Sequence, residues 1–96
     1  MPVVGIDYCF PALAGQEPLT ILIITEIYSG AAESVLVDAK GVADFPVRCV
    51  VQAMEAWGLQ RCGIFSDQEP SILALAVAVK AARTAETVIT SGPRKD

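Results

Sequence analysis

Residues 64–71 read IFSDQEPS, and the interpretation of this stretch decides the fold. An apolar run ends in Ser66-Asp67, and Pro70 then opens a long apolar segment. Proline is tolerated in the first turn of a helix, where its missing N–H would have had no partner. The stretch therefore predicts a short strand that ends at an acidic residue, then a helix from Pro70 to Arg83. Asp67 admits two readings. As the cap of that helix it would accept a backbone N–H, with Glu69 suiting the helix dipole. As a ligand it would sit at the carboxyl end of a buried strand, where open α/β sheets bind their ligands.

Upstream, RCGIF (61–65) reads as that buried strand. Before it, Val47, Val50, Val51, Met54 and Trp57 recur at helical spacing, with Arg48, Gln52 and Glu55 on the other face. Asp44 is placed to cap this helix, Pro46 fits its first turn and Gly58 its end. Trp57 continues the apolar stripe and reads as core. Earlier still, LTILIITEI (19–27) and AAESVLVDA (31–39) are β-branched-rich runs joined by YSG, a hairpin. PALAGQEP (11–18) is a turn region, punctuated by Pro11, Gly15 and Pro18. VVGIDYCF (3–10) is apolar at both parities, which predicts a strand covered on both faces. Downstream, ETVIT (86–90) is a final strand and SGPRKD (91–96) a polar tail.

The predicted order is strand-strand-strand-helix-strand-helix-strand: an α/β domain with a mixed sheet and helices packed against it. No covering helix follows the last strand, so the chain is expected to stop early in the pattern.

The 96 residues suffice for one small domain. A hydrophobic fraction of 53% excludes a disordered chain and implies either a Val/Ile/Ala-rich core or apolar surface meant for a partner. A net charge of −4 argues against a general nucleic-acid coat. Lys80, Arg83, Arg94 and Lys95 could form a local basic edge, for which a solvated face is the ordinary expectation. There is no histidine, and Cys9, Cys49 and Cys62 form no Cys-x-x-Cys pair. Zinc fingers, Cys-His pairs and Ser-His-Asp triads are excluded by inventory. Apolar neighbours around the cysteines suit reduced, buried thiols in an intracellular protein. The N-terminus lacks the basic-then-apolar pattern of a secretory leader, and ILALAVAV (72–79) is too short to cross a bilayer, so no membrane partner is expected.

Asp7 is the most informative residue. A carboxylate within an apolar strand is costly unless it reaches water, accepts hydrogen bonds or binds a cation. If the strands carrying Asp7 and Asp67 are parallel neighbours, both side chains can share one crevice, where they repel unless something positive lies between them. All-oxygen ligands favour Mg²⁺ or Mn²⁺. Such a cation polarises phosphate oxygens and activates water or a 3′-hydroxyl for in-line displacement. Tyr8 and Phe10 flank the pair, and strand packing explains them equally well.

GIDYCF, TEIYSGAAESVLV, FPVRCVVQAMEAWG and IFSDQEPSILALAVAVKAA together resemble the catalytic core of integrases of retroviruses and LTR retrotransposons. These are ribonuclease-H-like polynucleotidyl transferases. The resemblance spans nearly the whole chain, 1–96, as one partial core domain lacking the final helices. It implies that the first strand lies beside the fourth, joining Asp7 and Asp67 as the first two members of an Asp-Asp-Glu metal triad. It also implies DNA as partner (element ends and target), Mg²⁺ or Mn²⁺ as cofactor, and DNA end processing and strand transfer as activity. A eukaryotic element would place that activity in the nucleus.

The chain departs from the family pattern. The third carboxylate of the family, a glutamate, lies on a helix after the last strand, farther from Asp67 than this sequence extends. Gln68-Glu69 stands where many relatives have Asn-Gly. Glu69, Glu86, Asp44 and Glu55 are conceivable substitutes, each with a more ordinary role as solvated or capping residue. The expectation is an integrase core keeping two of three ligands and catalytically incomplete alone. Two alternatives accompany it: a non-catalytic module or element remnant that self-associates into a homo-oligomer, and a ribonuclease-H-type nuclease using Asp7, Asp44 and Asp67.

Overall fold

The computed structural model describes residues 1–12, 14–17, 19–37, 44–67 and 69–91. Seven elements follow in order: β1 (Val3–Cys9), β2 (Thr20–Glu26), β3 (Ala32–Val37), α1 (Asp44–Ala56), β4 (Cys62–Ser66), α2 (Pro70–Ala82) and β5 (Thr87–Ser91). This is the order read from the sequence. Gln68, Arg94 and Lys95, and the tail from residue 92, lie outside the described residues.

The five strands form one mixed sheet in the order β3-β2-β1-β4-β5. β1–β2 and β2–β3 are antiparallel, whereas β4 lies parallel to β1 and β5 parallel to β4. The β2–β3 hairpin closes through hydrogen bonds from Glu26 N–H to Ala31 O (2.8 Å) and from Gly30 N–H to Glu26 O (2.9 Å). Gly30 takes a φ of +79°, a left-handed turn that a side chain would resist. Glu26 contributes beyond its backbone. Its carboxylate accepts the Ser29 N–H at 2.6 Å and the Ser29 hydroxyl at 3.0 Å, fixing the turn from within.

Both helices pack on one face of the sheet, α1 against β2 and β3, and α2 against β1, β4 and β5. The strand residues at alternate positions supply that face: Val4, Ile6 and Tyr8 from β1, Leu22 and Ile24 from β2, Cys62 and Ile64 from β4. From α2 come Ile72, Leu75, Ala76 and Val79, the i, i+3, i+4, i+7 stripe of a packed helix. From α1 come Val50, Ala53 and Met54, with Val47, Val51 and Trp57 half-buried against them. Each fully buried aliphatic side chain contributes about 1.5–3 kcal/mol of transfer free energy.

The ends of α1 follow the sequence closely. Leu59 N–H reaches Met54 O (3.0 Å) and Gly58 N–H reaches Glu55 O (2.9 Å), with Gly58 at φ +72°. These paired bonds form a Schellman motif and satisfy carbonyls the helix leaves open. Asp44 is the first helical residue rather than a cap preceding it. All three cysteines are free, but only Cys62 is buried; Cys9 and Cys49 are half-exposed.

One expectation fails here. β1 was expected to be covered on both faces, yet among the described residues helices cover only one side. On the other face Met1 and Ile27 fold back over part of the sheet: Cβ atoms added at Gly63 and Gly5 would lie 3.5 Å from Met1 Cε and 3.8 Å from Ile27 Cδ1. Leu36 and Phe65 remain 60% and 37% exposed. Apolar residues at both parities mark a central strand, but do not identify what covers its second face.

Candidate metal centre

The parallel pairing of β1 with β4 sets Val3 against Gly63, Val4 against Ile64 and Gly5 against Phe65. Carried two residues farther, this register puts Asp7 beside Asp67, on neighbouring strands about 4.8 Å apart. Parity decides the face. Ile6 and Tyr8 are buried on the helix side, as are Ile64 and Ser66, so Asp7 and Asp67 share the opposite, open side with Gly5 and Phe65. Both aspartates are exposed. They line one cavity of about 280 Å³ with Gly5, Ile6, Ile23, Thr25 and Phe65.

Asp7 is oriented by its own strand. Its Oδ1 accepts the backbone N–H of Tyr8 at 2.8 Å, which leaves the second carboxylate oxygen for the cavity. Asp67 is not the cap of α2. That position belongs to Glu69, with extended backbone and no side-chain capping bond, and Pro70 begins the helix. The capping reading of Asp67 is therefore replaced by its place in the cavity. No Lys or Arg lines this cavity, so its two carboxylates have no protein cation beside them there. The donor set is all oxygen and open to water. It fits a divalent cation such as Mg²⁺ or Mn²⁺, which would complete its shell with solvent.

The four substitute acids lie elsewhere. Glu69 is exposed, and its Oε1 accepts the Ser71 hydroxyl at 2.8 Å. Glu86 pairs with Arg61 at 3.3 Å on the surface. Asp44 lines a groove between α1 and α2, on the helix side of the sheet. Glu55 lines a small cavity near the ends of α1 and α2. Among the described residues no group of three or more Asp, Glu, Cys or His side chains could hold a metal. The structure thus does not bring Asp44 to Asp7 and Asp67, as the nuclease reading requires.

Of the expected basic edge, Lys80 is exposed, whereas Arg83 is not a solvated charge. One terminal nitrogen of its guanidinium donates to Cys62 Sγ (3.1 Å) and Thr87 Oγ1 (2.8 Å). The other donates to the carbonyls of Leu59 (2.7 Å) and Gln60 (2.8 Å). Arg83 ties the end of α2 to the loop leading into β4 and to the start of β5. No sequence pattern signals this role. Phe65, Ile23 and Thr25, the walls beside the acid pair, were also missed, although alternation from Asp67 and Asp7 could have found Phe65 and Gly5. Tyr8 is buried on the helix face, its ring centroid 6.4 Å from that of Phe10, which is 47% exposed.

No protein-family model matches the chain, and no curated protein matches it in sequence. Solved structures do match it in fold. The simian T-cell lymphotropic virus intasome, in complex with PP2A regulatory subunit B56 gamma, contains a chain that superposes with a TM-score of 0.70 at 11% identity, over 95% of this chain and 34% of that one. The HTLV-2 integrase catalytic core domain in complex with magnesium superposes with a TM-score of 0.64 in its dimeric form and 0.62 in its trimeric form. Each is 12% identical to this chain. The fold is that of an integrase catalytic core. The chain spans 60% and 58% of the two HTLV-2 core chains and about a third of the intasome chain.

Proposed function

We propose that this chain is an integrase-type core, of retrovirus or retrotransposon kind, in which Asp7 and Asp67 hold a divalent cation, Mg²⁺ or Mn²⁺. Its substrate is DNA, at an element end and a target. One observation carries the reading: the β1–β4 register aligns two carboxylates on one open face, around one cavity, with no protein cation among its lining residues. The magnesium complex of the HTLV-2 core supports the choice of metal by likeness of fold. The bound cation would supply polarisation of phosphate oxygens and a lowered pKa for water or a 3′-hydroxyl. Asp7, held by the Tyr8 N–H, would present one fixed oxygen to it; Asp67, just beyond the end of β4, would supply the second ligand from the adjacent strand.

Two carboxylates hold a cation more loosely than three, and in-line phosphoryl transfer depends on fixed geometry. The chain alone therefore carries little or no strand transfer. Its site of action is intracellular, and nuclear for a eukaryotic element. The test is DNA binding measured by fluorescence anisotropy with and without Mn²⁺. Metal-dependent binding that disappears in Asp7→Asn supports the reading; equal binding with and without metal counts against it.

A second reading draws on a different observation. Leu36 and Phe65 leave apolar surface on the open sheet face, which suits a non-catalytic module that self-associates. A sizing column separates the two, since a monomer at high concentration removes the basis for this reading.

A further inference from the structure

We draw no further inference here: the strongest candidate, the groove of about 710 Å³ between α1 and α2 lined by Asp44, Val47, Arg48, Ala78, Ala81 and Ala82, is an apolar surface patch, and nothing in the structure shows what covers it.

Discussion

Asp7 in β1 and Asp67, the residue just beyond the end of β4, each lie two residues past the paired Gly5 and Phe65 and line one cavity. Sixty residues of sequence separate them, and the fold cancels that distance by inserting β4 against β1. The pair has a thermodynamic signature. A cation that binds only the folded state stabilises it by mass action.

Asp67→Asn should leave the metal-free melting temperature unchanged, because Asp67 caps no helix. Wild-type protein should gain about 1.4 kcal/mol at a Mg²⁺ concentration ten times its Kd. The variant should gain nothing. Thermal melts with and without Mg²⁺ check this. A variant clearly destabilised without metal would mean that Asp67 has a structural role.

Arg83→Ala should destabilise the domain by about 2–3 kcal/mol, since the Leu59 and Gln60 carbonyls lose a charged donor. Arg83→Lys should recover little of this, because an ammonium cannot reproduce the planar fork. Urea unfolding midpoints measure both. A wild-type midpoint in Arg83→Ala would show that the clamp is replaceable by water.

Ser66 Oγ is buried without a hydrogen-bond partner, on the helix side of β4 directly before Asp67. An unsatisfied buried hydroxyl costs free energy, so Ser66→Ala should be stabilising by about 1 kcal/mol. A loss of stability in the same urea experiment would reveal a partner for the hydroxyl, such as an ordered water.

Acid should weaken the hairpin turn that Glu26 closes. The Ser29 N–H holds the Glu26 carboxyl below its usual pKa, outweighing the opposing effect of burial. A depressed folded-state pKa adds stability above the unfolded-state value, and that contribution is lost as pH falls through the folded-state value. Glu26→Gln should therefore lower stability at neutral pH and flatten its decline below about pH 4.5. Unfolding free energies measured from pH 7 to pH 3 give the comparison. An unchanged acid limb would assign the decline to other carboxylates.

The order of elements was legible because local signals agreed with one another. Pro70 and the apolar run after it fixed the start of α2, Gly58 fixed the end of α1, and Tyr28-Ser29-Gly30 fixed the hairpin. The adjacency of β1 and β4 was not legible from pattern alone, because strand pairing is a long-range choice that periodicity does not encode. It entered only through resemblance. The coverage of β1 was misread, since its composition records a central position in the sheet and not the number of helices upon it. The structural roles of Arg83 and Glu26 were not legible either. Arg83 binds the Leu59 and Gln60 carbonyls, which only the fold brings to it, and Glu26 closes its own turn on Ser29, a contact the hairpin pattern does not single out.

The central claim is tested most directly by titrating Mg²⁺ into isotopically labelled protein while following the backbone amide signals. The account predicts saturable shifts confined to residues around Asp7 and Asp67, including Tyr8 and Phe65, and their disappearance in both Asp7→Asn and Asp67→Asn. Shifts scattered over the acidic surface, or none near these two residues at ~10 mM Mg²⁺, about ten times the weak end (~10⁻³ M) of oxygen-donor sites, would contradict it.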